Sequence, residues 1–261
     1  GNESVLFRHE EKFRNPCAVG CIIDDSLTDG HIAERVAAVN NLSFERVGQT
    51  LAVNAVALRQ TGAAGRFVEA VRAVAGLTSR VIVLMTSDPK ALEPSLELLK
   101  GRTPIVYCLS AATLPANLEL LKRFQPAVAV TADTLDGLAA LTVELNAAGV
   151  NDLILAPAPA DKDLLWQLTQ IRRLALKKSL RSLGYPAAVL VEGGQPQQQM
   201  LSAATAVLKY AGLVLVPAAD RDALYALLTL RQNIYSDPQK PLQIEPKLYE
   251  IGNVTGRSPV L

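Results

Sequence analysis

The sequence predicts a (β/α)₈ barrel in a single domain, because short apolar runs alternate with longer amphipathic stretches eight times along it. The runs are almost continuously apolar, which is typical of parallel strands that are covered on both faces. They recur about every 27 residues between residues 16 and 232, a count and spacing that favour a closed TIM-type barrel over an open doubly wound sheet. The predicted strands are Cys17–Ile23, Leu51–Leu58, Val81–Met85, Pro104–Leu109, Ala127–Val130, Asp152–Ala156, Ala187–Val191 and Gly212–Val216.

The stretches between the runs are predicted to form amphipathic helices. Phe67, Val71 and Val74, for example, recur at three- and four-residue intervals and therefore share one face that can pack on the sheet. Side chains that can cap a first helical turn follow several strands, and these are Thr28, Asp88, Thr134, Asp161 and Asp220.

Two segments flank the repeat. Residues 1–15 are predicted to form a hairpin, Ser4–Phe7 with Glu11–Phe13, that covers the bottom of the barrel. Residues 233–261 contain four prolines and few helix formers, so we expect an extended tail. No break in composition divides residues 16–232, which we interpret as the barrel.

The composition excludes several classes of protein. With 26 Lys+Arg against 25 Asp+Glu the net charge is +1, which indicates neither a nucleic-acid partner nor an anionic membrane surface. Hydrophobic residues make up 49% of the chain, but no apolar run reaches the roughly 18 residues of a membrane span. Three cysteines cannot form a disulfide scaffold, and their odd number favours a reducing compartment. We expect a globular, cytoplasmic protein.

The ends of the predicted strands, where barrel enzymes place their chemistry, carry few reactive groups. Cys108 lies in the fourth run, and no histidine or lysine stands at any strand end. Carboxylates alone, such as Asp25 with Glu192, could form an acid–base or metal site. The simpler interpretation is that the acidic residues cap helices or face water. We therefore predict no catalytic, cofactor-binding or metal-ligating residue in this chain.

The remaining patterns also favour structural roles. Cys17 and Cys21 are four residues apart in a strand, a spacing unlike the C-x₂-C of zinc and iron–sulfur sites, and we expect buried thiols. The glycine clusters Thr61–Gly65 and Glu192–Gly194 lack the phosphate-binding patterns and are predicted to form turns.

One helical segment carries a basic cluster that consists of Arg172, Arg173, Lys177, Lys178 and Arg181. The segment begins with Asp161 and Asp163 and ends in positive charges, the distribution that the helix dipole favours. The alternative is a partner-docking patch, because five positive charges on one helix of a nearly neutral protein create a local field.

Several long, ungapped stretches resemble a known family. They are Val5–Glu10 (VLFRHE), Phe44–Gln49 (FERVGQ), Gln167–Lys178 (QLTQIRRLALKK), Tyr210–Gly212 (YAG) and Leu228–Pro241 (LTLRQNIYSDPQKP), the last followed by Glu245 and Pro246. Together they resemble the large (gamma) subunit of the corrinoid/iron–sulfur protein of the acetyl-CoA synthase/CO dehydrogenase system.

The resemblance implies a methyl carrier of the acetyl-CoA (Wood–Ljungdahl) pathway of one-carbon metabolism. Such a subunit combines an N-terminal [4Fe–4S] domain, a central barrel and a C-terminal corrinoid-binding domain, and it forms a heterodimer with a small subunit. Its cobalt takes a methyl group from a pterin-dependent methyltransferase to acetyl-CoA synthase, and the cluster reactivates oxidised cobalt. The present chain begins with Gly1 rather than Met and resembles the central barrel, with its tail leading toward the corrinoid domain.

Three functions therefore stay open. The first is a non-catalytic scaffold that positions the cofactor domains and pairs with the small subunit. The second is a pterin-binding, methyltransferase-like barrel, which would need Asp or Asn groups in the mouth. Asn54 falls within the second predicted strand and Asp133 could instead cap a helix, so neither is a clear candidate. The third is a self-associating structural barrel.

Overall fold

A computed structural model describes residues 15–46, 48–157, 163–217, 221–234 and 255. Numbered along the chain, its strands are β1 (Ala18–Asp24), β2 (Ser43–Arg46), β3 (Gln49–Ala52), β4 (Ala55–Arg59), β5 (Val81–Met85), β6 (Ile105–Leu109), β7 (Ala127–Val130), β8 (Leu153–Leu155), β9 (Ala188–Leu190) and β10 (Leu213–Pro217). Its helices are α1 (Asp29–Asn40), α2 (Ala64–Leu77), α3 (Pro89–Leu98), α4 (Leu114–Phe124), α5 (Leu135–Ala147), α6 (Leu164–Lys177), α7 (Pro196–Leu208) and α8 (Arg221–Ile234). A short 3₁₀ turn, Arg181–Leu183, follows α6.

Eight parallel strands form the wall of the barrel, in the order β8-β7-β6-β5-β4-β1-β10-β9. A bridge between Leu155 and Ala187 joins the two ends of this sheet, and the Leu155 amide donates to the carbonyl of Pro186 at 2.8 Å. Each barrel strand is followed by a helix, so the predicted (β/α)₈ fold is confirmed.

Two apolar layers explain why the strands are apolar on both faces. Ile22, Val83 and Leu215 face the barrel interior, whereas Val19 and Phe67 belong to the layer between strands and helices. Gly20 on β1 allows close packing in the interior, because a Cβ there would lie 2.8 Å from Leu215 Cδ2 and would force that side chain to shift.

The predicted strand Leu51–Leu58 is wrong as a single element. Its first part belongs to β3, which pairs antiparallel with β2 in a hairpin outside the barrel wall, and its second part is β4. The break falls at Asn54, whose amide donates to the carbonyl of Val19 at 2.8 Å and whose side-chain oxygen accepts from the Val19 amide at 3.1 Å. Asn54 therefore precedes β4 at the amino-terminal end of the barrel.

Three predicted helix caps are confirmed by side-chain hydrogen bonds. The hydroxyl of Thr28 accepts from the His31 amide at 3.3 Å, and that of Thr134 accepts from the Gly137 amide at 3.1 Å. Asp88 Oδ1 accepts from the amide of Lys90, the second residue of α3, at 3.0 Å. The other two proposed caps, Asp161 and Asp220, lie outside the described residues.

Most residues of the two segments predicted to flank the barrel lie outside the described residues. Of the hairpin predicted over residues 1–15 only Asn15 is described, and of the tail predicted over 233–261 only residues 233, 234 and 255 are described. The last helix ends at Ile234, two residues into the predicted tail. Among the described residues, none of the helices is both long and apolar enough to cross a bilayer.

Candidate functional site

Charged side chains from three strand ends meet at the mouth of the barrel. Arg59, at the end of β4, donates from Nε to Asp24 Oδ1 at 2.6 Å and from Nη2 to Asp24 Oδ2 at 3.1 Å. Its Nη1 donates to Glu192, which follows β9. Because β1 and β10 separate β4 from β9, the Arg59 side chain spans these two strands. The hydrogen bond with Asp24 is the main cause of the raised pKa of Arg59.

A cavity of about 420 Å³ lies beside this triad. Its wall combines these three charged groups and Arg35 with the apolar side chains of Ile22 and Leu27. Both carboxylates in the wall accept hydrogen bonds from the same guanidinium, which fixes their orientation. The two carboxylates in this wall are therefore already paired with a positive charge of the chain itself.

Asp25, which the sequence suggested as a partner of Glu192, is held elsewhere. Only 1% exposed, it accepts at Oδ1 from the amide of Thr61 at 2.8 Å and from its hydroxyl at 2.5 Å. Its main-chain carbonyl accepts from Arg66 Nε at 2.8 Å. The residue that shares a hydrogen-bonding partner with Glu192 is Asp24, and Asp25 anchors the turn that follows β4.

The thiols are unsuited to nucleophilic or ligand chemistry. Burial raises the pKa of Cys17, Cys21 and Cys108 to about 12, so all three stay protonated near neutral pH. Tyr107, buried in the barrel interior, has its phenol pKa raised first by burial and further by the negative charge of Glu192. Within the described ranges, no group of three His, Cys, Asp or Glu residues could hold a metal ion.

The two candidates for pterin recognition lie apart. Asn54 lies at the amino-terminal end of the barrel, opposite the mouth, where its side-chain oxygen also accepts from Arg231 Nη1 at 2.6 Å. Asp133 follows β7 and lines a cavity of about 380 Å³ together with Trp166. It does not cap α5, since that position is taken by Thr134.

The basic cluster is distributed over a helix and the turn after it. Arg172, Arg173 and Lys177 belong to α6, whereas Lys178 is its C-cap residue and Arg181 starts the 3₁₀ turn. Arg172 is half-buried, with its guanidinium 4.6 Å from the centroid of the Tyr210 ring. The other four side chains are exposed, and none of them forms an ion pair with another described residue.

Sequence reasoning missed a second polar cluster, at the amino-terminal end of the barrel. Arg231 of α8 is 8% exposed and donates to the carbonyls of Cys17 and Ala52 and to Asn54 Oδ1. It ties α8 to β1 and to the β2–β3 hairpin. A signal was available, because Arg231 lies in the LTLRQN stretch that carried the family resemblance.

Comparisons with known proteins agree with this architecture. The family model described as CO dehydrogenase/acetyl-CoA synthase delta subunit matches residues 1–261. The chain is 37% identical to the corrinoid/iron–sulfur protein large subunit of Moorella thermoacetica, a match over all of this chain and 59% of that protein. It is 30% identical to the acetyl-CoA decarbonylase/synthase complex subunit gamma of Methanothermobacter thermautotrophicus, over all of this chain and 60% of that protein. The chain thus spans about three fifths of these relatives.

A solved structure supports the fold independently. Dihydropteroate synthase from Xanthomonas albilineans, in complex with 7,8-dihydropteroate, superposes with a TM-score of 0.63 at 14% identity, covering 86% of this chain and 95% of that chain. At this level of identity the likeness shows the fold alone.

Proposed function

The chain belongs to the CO dehydrogenase/acetyl-CoA synthase delta subunit family, and from this membership we propose that it is the barrel of a corrinoid/iron–sulfur methyl carrier. In this role it positions the cofactor-bearing domains and pairs with a small subunit. The match of all 261 residues to relatives named as corrinoid/iron–sulfur and acetyl-CoA decarbonylase/synthase subunits carries the proposal. Free thiols favour a reducing compartment, and we place the protein in the cytoplasm.

The cysteines of this barrel do not fit the iron–sulfur cluster that the names of its relatives imply. A [4Fe–4S] cluster takes four thiolates, whereas the chain has three cysteines. Cys17 and Cys21 lie in the layer between strands and helices, and Cys108 lies with the interior cluster. We therefore propose that the cluster is held by a part of the intact protein other than these 261 residues. The family resemblance implies a separate corrinoid-binding domain, so we assign no step of methyl transfer to a side chain of the barrel.

The charged side chains at the mouth of the barrel also support a scaffold role. Asp24 and Glu192 are each paired with Arg59, so these three charged groups at the mouth already serve to hold strand ends together. We propose that the intact protein exchanges the methyl group with a pterin-dependent methyltransferase and with acetyl-CoA synthase through the cofactor domains that this barrel holds.

Size-exclusion chromatography with light scattering tests the proposal. Residues 1–261, alone and mixed with the small subunit of the corrinoid/iron–sulfur protein, are run with metal analysis of each peak. We expect a colourless, metal-free monomer that shifts to a 1:1 complex. A chain that ignores the small subunit would contradict the proposal, and one that only self-associates would indicate a structural oligomer instead.

A pterin-binding barrel is the second candidate. The observation that favours it is the cavity of about 380 Å³ in which Asp133 lies with Trp166. Because Trp166 is the only tryptophan, quenching of its fluorescence by a tetrahydropterin tests this function directly. Saturable quenching that Asp133→Ala abolishes would favour the enzyme, whereas unchanged fluorescence would exclude this cavity as the pterin site.

A further inference from the structure

A cavity of about 180 Å³ lies at the amino-terminal end of the barrel, between the starts of β5 and β6. The polar side chains in its wall are the guanidinium groups of Arg80 and Arg102 and the hydroxyls of Ser79 and Thr103. The other described residues of the wall are apolar, and none of them is Asp or Glu. This cavity, which we call the β5–β6 cavity, therefore presents charge of one sign only.

Both guanidinium groups are held in place by main-chain carbonyls. Arg102 donates from Nη1 to the carbonyl of Ala75 at 3.0 Å and from Nη2 to that of Thr78 at 2.8 Å, both at the end of α2. Arg80 donates from Nη2 to the carbonyl of Asn40, the last residue of α1, at 3.0 Å. With the further bonds to the carbonyls of β3–β4 and of the β5 start, about half of the N–H groups of the two arginines are used. The other half can donate to a ligand.

These carbonyls compensate only part of the positive charge. The carboxyl end of a helix carries about half a negative charge, whereas the cavity wall holds two full positive charges. Neither Arg80 nor Arg102 forms an ion pair with any residue that the structure describes. Burial is the main cause of the lowered pKa of Arg80, whereas Arg59 has a pKa raised first by its hydrogen bond to Asp24. A partly buried cation without a counter-ion is costly, so the cavity favours an anion.

One donor of Arg80 also lacks an acceptor. Its Nε is buried and has no hydrogen-bond partner within the described part of the chain. Nearly all buried donors in native proteins are satisfied, by the protein itself or by a bound molecule. The side chains of Ser79 and Thr103 are exposed, and their hydroxyls can rotate to donate to a ligand in the cavity. The unsatisfied donor and the uncompensated charge both indicate a missing acceptor that is negatively charged.

We propose that the β5–β6 cavity is an anion site that binds a phosphate group, with Arg80 and Arg102 as its charged donors and Ser79 and Thr103 as its neutral donors. A planar guanidinium matches two phosphate oxygens with parallel N–H···O hydrogen bonds. At about 180 Å³ the cavity is smaller than the roughly 300–1,000 Å³ of pockets for drug-sized ligands, and it suits a single phosphate group. The inference goes beyond the proposed function, because this site lies at the end of the barrel opposite the mouth.

A carboxylate introduced into the cavity wall tests the proposal. Ser79→Asp places a negative charge next to Arg80, where it can replace the anion, and Thr103→Asp does so from the start of β6. The matched control Ser202→Asp adds the same charge at an exposed serine of α7, which is not part of the cavity wall. The dissociation constants of inorganic phosphate and of ribose 5-phosphate are measured by calorimetry at constant ionic strength. Melting temperatures are compared in phosphate and in chloride.

We expect inorganic phosphate to bind the wild type and Ser202→Asp equally and to raise the melting temperature of both above its value in chloride. In Ser79→Asp and in Thr103→Asp the dissociation constant should rise at least tenfold. Their melting temperatures in chloride should equal or exceed that of the wild type, because the new carboxylate pairs with a guanidinium. Tighter binding of ribose 5-phosphate than of inorganic phosphate would show that the site takes the phosphate group of a larger molecule. Equal affinities would show that it takes the phosphate group alone.

Two results would overturn the proposal. One is a wild type whose calorimetric trace and melting temperature are the same in phosphate and in chloride. The other is phosphate binding that both cavity variants retain, since the anion would then be held elsewhere. In either case Arg80 and Arg102 would serve only the carbonyls at the ends of α1 and α2.

Discussion

Gln232 and Arg46 form reciprocal hydrogen bonds across 186 residues of sequence. The side-chain amide of Gln232 donates to the main-chain carbonyl of Arg46 at 3.1 Å, and the Arg46 guanidinium donates to the Gln232 side-chain oxygen. Gln232 also donates to Gln49 Oε1 at 3.0 Å. The last helix is thereby fixed to the β2–β3 hairpin, and the two stretches FERVGQ and LTLRQN, which carry the family resemblance, meet in space.

Arg231, the neighbour of Gln232, gives the first prediction. Arg231→Met keeps most of the side-chain volume but removes the donors to the Cys17 carbonyl at 3.0 Å and to Asn54 Oδ1 at 2.6 Å. We expect the free energy of unfolding to fall by about 3 kcal/mol, because buried acceptors lose a charged donor. Urea denaturation measures the loss. The control Arg173→Met removes an exposed guanidinium of α6 and should change stability by less than about 0.5 kcal/mol.

The interior packing gives the second prediction. Gly20→Ala adds a methyl group that would lie 2.8 Å from Leu215 Cδ2 and 3.2 Å from Ala55 Cβ. We expect a destabilisation of about 1–3 kcal/mol, the usual cost of overpacking a close-packed core. Gly30→Ala is the matched control, because a Cβ at Gly30 in α1 meets nothing within 4 Å. There alanine should stabilise the helix by about 0.5–1 kcal/mol. Equal effects at both positions would contradict the packing argument.

The arrangement of strands was predictable because each strand is apolar on both faces, a property that is visible in sequence. The β2–β3 hairpin was not predictable in the same way. Leu51 and Val53 continue directly into the apolar residues of β4, and only the pairing of Asn54 with Val19 divides the run. Asp24, Arg59 and Glu192 could each be assigned to a strand end. Arg59 links Asp24 to Glu192 because the barrel closes and because its side chain is long enough to reach both. No local sequence pattern encodes either of these conditions.

The buried thiols give a prediction that depends on pH. Burial raises the pKa of Cys17 and Cys21 from 9.0 to about 12, so at pH 8 the folded protein holds about a thousandfold less thiolate at these sites than exposed cysteines would. Reaction with a disulfide reagent such as DTNB should therefore be slow in buffer and fast in urea.

The raised pKa values of Cys17 and Cys21 also determine how the free energy of unfolding changes with pH. The pKa of each thiol is about 9.0 in the unfolded chain and about 12 in the folded protein. Its contribution to stability is therefore complete below pH 9 and is lost as the pH rises toward 12. We expect the free energy of unfolding to decrease across that window, and to decrease less in Cys17→Ala/Cys21→Ala. Rapid labelling of Cys17 and Cys21 in the native protein at pH 8 would instead show that the layer between strands and helices is open to solvent.

The basic cluster at the end of α6 gives the last prediction. In Arg173→Glu/Lys177→Glu two exposed positive charges become negative, so a complex in which this helix contacts carboxylates of the partner should weaken, and its remaining affinity should depend less on salt. The control Lys90→Glu reverses an exposed charge on α3, away from α6, and should leave both quantities unchanged. Binding to the small subunit is measured at several ionic strengths. If the affinity and its salt dependence are the same in the α6 variant and the wild type, the charges serve the helix dipole alone. That result would leave the basic cluster as charges that match the dipole at the carboxyl end of α6.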